Sequence, residues 1–212
     1  VQDNSTKELW YRKRALHLAA WSNNKEAVAL CMFHTGLTLL GSNDFEFSKL
    51  LLDQALEYYN QLNRPDRASY VLNALGEWYR QKLNPHHSMT EALKMYERLR
   101  QLASETRMPQ QEATALCSMA AILSAENMSD SLAKMDEAIL IYRRITDVAG
   151  LVAALKQKSL YLSLSGENPV VALQVTIQAL QLLVSVKERY SSDDDFRLYL
   201  SSDYLELIER AA

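Results

Sequence analysis

A helix-pair signature recurs along this chain and leaves few folds open to it. Its clearest copy is Leu75-Gly76-Glu77-Trp78-Tyr79 followed by Ala92-Leu93-Lys94-Met95-Tyr96. Gly76 has no side chain, so a second helix can cross closely there. Tyr79 follows about one turn later, and Ala92 and Tyr96 stand one above the other on a single face of the second helix. Weaker copies keep the same order. Gly36 and Leu39 precede Ala55 and Tyr59; Leu116, Met119, Ala120 and Leu123 precede Ala138 and Tyr142; Leu155, Ser159, Leu162 and Gly166 precede Ala172, Thr176 and Ala179. Aligned on Tyr59, Tyr96, Tyr142 and Thr176, the copies lie 37, 46 and 34 residues apart. Recurrence of one such unit predicts an all-α solenoid, in which each pair buries its apolar face against its neighbours.

Apolar periodicity and turn residues predict about ten antiparallel helices. They cover residues 6–22, 25–40, 45–62, 65–82, 90–105, 108–125, 131–145, 148–163, 169–187 and 194–209. That gives four helix pairs with one helix before and one after. Asn24 is placed to cap the second helix, and Pro65 and Pro169 to open later ones. The expected organisation is a single repeat domain over 1–212, with an N-terminal helix in 1–24, the pairs in 25–190 and a C-terminal helix in 191–212. Because the chain begins at Val1 and not at Met, it is expected to be a piece of a longer protein.

Composition narrows the classes. A hydrophobic share of 48% suits a continuous core, and five Gly and four Pro are few for a strand-rich chain. A net charge of −3 argues against direct binding to nucleic acid. No apolar run approaches the roughly 18–20 residues that span a membrane. Cys31 and Cys117 lie in apolar helical patterns, as reduced core thiols of a cytoplasmic protein do.

The chemistry-bearing residues do not assemble into a catalytic set. Cys31 and His34 are three apart on one helix, but no second such pair follows to complete four zinc ligands. His86-His87 reads as an exposed loop pair or as a loop that touches a partner. Asp193-Asp194-Asp195 lacks the Gly and the distal Glu of a calcium loop and fits a helix N-terminus instead. There is no nucleophile elbow, no phosphate-cradling Gly loop and no H-E-x-x-H motif. The reading is a non-enzyme with no metal and no cofactor. Lys7, Arg12, Lys13 and Arg14 make the first helix basic and the last segment is acidic, so the two ends are either solvated faces or docking sites for neighbouring domains of the same chain. Trp10, Tyr11 and Trp21 either pack on the next helix or continue a core into an earlier repeat.

The residues Leu72, Leu75, Gly76, Tyr79, Ala92 and Tyr96, and again Leu162, Gly166, Ala172 and Ala179, resemble the tetratricopeptide repeat (TPR) family, with divergent repeats. The resemblance implies a right-handed α-solenoid whose first helices line a concave groove. The family's groove positions transfer to Phe33, Leu37, Tyr70, Asn73, Glu77, Arg80, Thr114, Lys156 and Leu160. Only Asn73, Arg80 and Lys156 suit a carboxylate, and Glu77 sits among them, so the family's carboxylate clamp is not implied. A mixed groove of this kind suits an apolar peptide or an amphipathic helix of a protein partner. The expected function is a protein-interaction module; the alternative is a sensor segment that takes a ligand or peptide and controls an attached effector domain.

Overall fold

The computed structural model describes residues 10, 12–15, 17, 21, 24–166 and 169–187. Among them regular structure is helical throughout, with no strand. Eight helices have defined bounds: α1 Lys25–Gly41, α2 Phe45–Gln61, α3 Pro65–Arg80, α4 Met89–Glu105, α5 Pro109–Leu123, α6 Met128–Arg144, α7 Val148–Ser165 and α8 Pro169–Lys187. The described residues between Trp10 and Trp21 are helical as well, and both tryptophans are exposed, Trp21 at 89%. The Arg14 guanidinium lies 5.7 Å from the Trp10 ring centre. Tyr11, the Asp193–Asp195 run and the expected last helix lie outside the described residues.

Local sequence explains most boundaries. Asn24, Ser88, Asn127 and Asp147 cap α1, α4, α6 and α7 by accepting from the backbone N–H three residues on. Pro65 opens α3, where its missing N–H costs nothing. One turn recurs four times. Its central residue is left-handed (Asn43, Asn63, Arg107, Thr146), and the next N–H bonds back to the helix it leaves. These bonds are Asp44 N to Leu39 O, Arg64 N to Tyr59 O, Met108 N to Ala103 O and Asp147 N to Tyr142 O, at 2.8–3.0 Å. Glycine is therefore scarce in these turns, since other residues hold the positive φ.

Contacts divide the chain into two compact units, 1–115 and 116–212. In the first unit α1 packs on α2, α2 on α3 and α3 on α4. Its core joins Ala29, Leu52, Ala55, Tyr59, Val71, Leu72, Leu75 and Leu99, all buried. At the α3–α4 crossing, a Cβ on Gly76 would stand 2.6 Å from Tyr96 Cζ, well inside contact distance. The sequence reading of this crossing is borne out. A Cβ on Gly36 would meet Leu52 Cγ at 3.0 Å, and Ser48 Oγ donates to Gly36 O at 2.8 Å.

In the second unit Ser131 Oγ donates to Ala120 O at 2.8 Å, which fixes the crossing of α5 and α6. Ser159 Oγ meets Thr176 Oγ1 at 2.6 Å and Ala172 O at 3.1 Å across α7 and α8. These contacts correct the repeat register. The residues equivalent to Ala92 are Ser48, Ser131 and Ala172, not Ala55 and Ala138, so successive copies lie 44, 39 and 41 residues apart. Tyr59 and Tyr142 stand two turns beyond the crossing. Tyr142 packs instead on Gly150 of the following pair, where a Cβ would lie 2.5 Å from its Cδ1.

Cys117 Sγ lies 3.9 Å from Met135 Sδ, and burial pushes the thiol up to about 11. Burial also raises Cys31. A raised folded-state pKa means that the unfolded chain ionises first. The stabilisation from Cys117 is whole below about pH 9 and is lost as pH climbs through about 11. In the native protein at pH 8, iodoacetamide is expected to label Cys117 only after urea is added, as read by peptide mass spectrometry. Prompt native labelling would show that the thiol is not enclosed.

Candidate functional site

On α3 the sequence places apolar residues on one side and polar ones on the other. Val71, Leu72, Ala74, Leu75 and Trp78 are buried, leaving Tyr70, Asn73, Glu77 and Arg80 as a stripe at helical spacing. Tyr70 is 51% exposed. Beside it lies a cleft of about 190 Å³, lined by Ser69, Tyr70 and Asn73 of α3, Leu99 of α4, and Gln110, Gln111 and Thr114 at the start of α5. All of these belong to the first unit.

The lining is apolar at Leu99 and uncharged elsewhere. Asn73 Oδ1 is buried, and among the described residues no protein group donates a hydrogen bond to it. Leaving a buried acceptor unpaired costs about 1–3 kcal/mol, so an incoming N–H donor has a strong reason to bind there. Thr114 Oγ1 donates to Gln110 O at 2.9 Å, the usual back-bond of a helical threonine.

Glu77 and Arg80 engage each other. Arg80 Nη2 and Nε donate to Glu77 Oε2 at 2.6 and 3.1 Å, and Tyr96 Oη donates to Glu77 Oε1 at 2.6 Å. The carboxylate is thereby tied to the crossing below it. Of the other expected residues, Phe33 is half-buried against the core and tilted on His34, and Leu37 is 36% exposed on α1. Lys156 and Leu160 lie half-buried on α7 in the second unit. The structure therefore gathers Tyr70, Asn73 and Thr114 around one cleft, with the Glu77–Arg80 pair one turn further along α3.

Sequence reasoning missed Ser69, Gln110 and Gln111. The signal was available: Pro109 sets the helix start, and side chains in a first turn stand beside the preceding helix. His86 and His87 are exposed in a loop as expected, and the structure adds contacts made by that loop. The loop 81–88 is folded back on α3: Asn84 is buried and its Nδ2 donates to Trp78 O at 2.7 Å. His86 stacks on Trp78 with centroids 5.9 Å apart and pairs with Glu46 at 2.9 Å.

Among the described residues, no three His, Cys, Asp or Glu side chains converge as a metal site. Burial lowers the His34 pKa, with Arg12 and Arg67 adding to the shift. No described helix is long and apolar enough to cross a membrane.

No protein-family model matches the sequence. No curated protein matches it either. Solved structures do. BtubC (BKLC) from P. vanneervenii superposes with a TM-score of 0.71 at 16% identity, over 98% of this chain and 89% of that one. Two structures of nearly identical TPR-like repeats of a putative kinesin light chain from Podosopora anserina superpose with TM-scores of 0.67 and 0.65, each at 10% identity. They cover 88% and 87% of this chain and 90% of theirs. The fold is that of TPR-like helical-repeat proteins, carried here by repeats that have diverged in sequence.

Proposed function

We propose that this chain is a non-catalytic interaction module, acting in the cytoplasm, that binds an extended or helical segment of a partner protein along its first helices. The observation that carries this reading is the unpaired Asn73 Oδ1 in the cleft beside half-exposed Tyr70. A backbone N–H of a peptide satisfies the acceptor, and an apolar side chain of the same peptide covers the Tyr70 ring and Leu99. The uncharged lining favours neutral peptide over an anionic ligand. Phe33, Leu37 and Thr114 extend the surface in the first unit, and Lys156 and Leu160 are the corresponding positions in the second.

The test is affinity measurement on a peptide partner selected from a random peptide display against the chain. Tyr70→Ala and Asn73→Ala are each expected to weaken it by about 1–3 kcal/mol, the range for aromatic and buried polar anchors. Tyr70 is half-exposed, so the urea midpoint of Tyr70→Ala should move little, and Asn73→Ala should not lower it, because it removes an unpaired buried acceptor. Unchanged affinity in both variants would remove the cleft from the binding site.

A further inference from the structure

The outer face of α8 is the strongest unassigned surface. Its inner face is buried through Ala172, Val175, Thr176, Ala179 and Leu183. On the outer face Val170, Leu173, Ile177 and Val184 are 62, 48, 42 and 59% exposed. With half-buried Leu180 they fall at i, i+3, i+7, i+10 and i+14, the a and d positions of a heptad pattern.

The other pairs serve as an internal control. At the register of Val170 the second helices of the first three pairs carry Glu46, Thr90 and Ser129. At that of Ile177 they carry Asp53, Glu97 and Asp136, and at that of Val184 they carry Asn60, Ser104 and Arg143. At the register of Leu173 they carry Lys49, Leu93 and Leu132, and at that of Leu180 they carry Leu56, Arg100 and Ile139, so the repeat itself uses aliphatic residues at these two positions. What sets the fourth pair apart is Val170, Ile177 and Val184, which join Leu173 and Leu180 into one continuous aliphatic face, and such faces mark interfaces.

We propose that this face docks on the same face of a second copy of the chain, as a parallel two-helix seam. The residues choose that occupant. Val170, Ile177 and Val184 at a with Leu173 and Leu180 at d is the distribution that favours two parallel strands. Residues 169–186 carry no charge, and the flanking exposed side chains are Gln174 and Gln181. Two identical helices thus meet without like-charge repulsion. A two-fold axis along the seam places each residue opposite its own copy. The stripe is small beside the roughly 800 Å² per partner of a standard interface, so micromolar association is expected.

Sedimentation equilibrium of the whole chain across the micromolar range tests this. The wild type is expected to rise from monomer to dimer mass, and Ile177→Glu to stay at half that mass with unchanged helical circular dichroism. Val184→Glu and Val184→Lys should each be monomeric alone and dimeric when mixed, because a parallel seam sets position 184 opposite itself. A wild type that stays monomeric, or an Ile177→Glu variant that dimerises as before, overturns the proposal. A mixture of the Val184 variants that fails to dimerise overturns the parallel seam.

Discussion

Gly76→Leu is expected to destabilise the first unit by about 1–3 kcal/mol or more, the usual range for overpacking a filled core. Even alanine is too large at this crossing, since its Cβ would lie 2.6 Å from Tyr96 Cζ. The ring cannot easily yield, because Tyr96 is fully buried and its hydroxyl is held by Glu77. The chain itself contains the remedy. Its four crossings carry Gly36 with Leu52, Gly76 with Tyr96, Ala120 with Met135 and Ser159 with Thr176. Only Gly76 faces a ring; the other three crossings do without one, and two of them carry a Cβ on the first helix. Gly76→Ala is therefore expected to be partly rescued by Tyr96→Met, which recreates the third pair inside the second. Urea denaturation of the two single variants and the double variant measures the coupling. A Gly76→Ala variant with an unchanged urea midpoint would mean that the crossing has slack.

Trp78→Ala is expected to cost about 3–5 kcal/mol, as removal of a buried large aromatic does. Trp78 is 1% exposed, and its Nε1–H donates to Phe45 O at 2.8 Å. It packs with Leu40 and Phe45, and Tyr79 meets its ring edge-on at 4.9 Å. Lys49 Nζ lies 5.6 Å from the ring centre, within cation–π range. The substitution also withdraws the surface on which His86 rests, so loop 81–88 should become cleavable under limited proteolysis. Trp78→Phe keeps much of the packing but removes the indole donor to Phe45 O, and is expected to cost less. Both are read by urea denaturation; an alanine variant as stable as the wild type would show that the indole is dispensable.

The helix pairs were legible because their signals are local. Asn24, Pro65 and Pro169 punctuate the chain with cap and start chemistry, and the Gly76–Tyr96 crossing stands out because glycine inside a helix needs a reason. The register of the first and third pairs was not legible. Ser48 and Ser131 occupy the small-residue position there, and a serine in a helix reads as a surface residue until its hydroxyl is seen to reach Gly36 O or Ala120 O. Meanwhile Ala55–Tyr59 and Ala138–Tyr142 repeat the Ala-x-x-x-Tyr spacing two turns later on the same helix, so the eye settles on them. In the cleft, Tyr70, Asn73 and Thr114 were named through the resemblance to the TPR family, whose groove positions they match. The unpaired state of Asn73 Oδ1 and the Tyr96–Glu77–Arg80 chain depend on contacts across helices, which no single helix pattern contains.

The matched sizes at the four crossings bear on how such a chain can be built by gene duplication. Each small residue and the residue that fills its space belong to the same pair, so a duplicated pair arrives with its own complement and needs no adjustment elsewhere. The join after the third pair obeys a different rule. There Tyr142 of one pair occupies the space above Gly150 of the next. The second pair carries Arg67 at that register. A copy of the fourth pair can therefore follow the third directly, whereas a copy of the second would bring a long side chain to the place the tyrosine already fills. Order among the repeats is written at this boundary, by a tyrosine that reaches out of its own pair into the next.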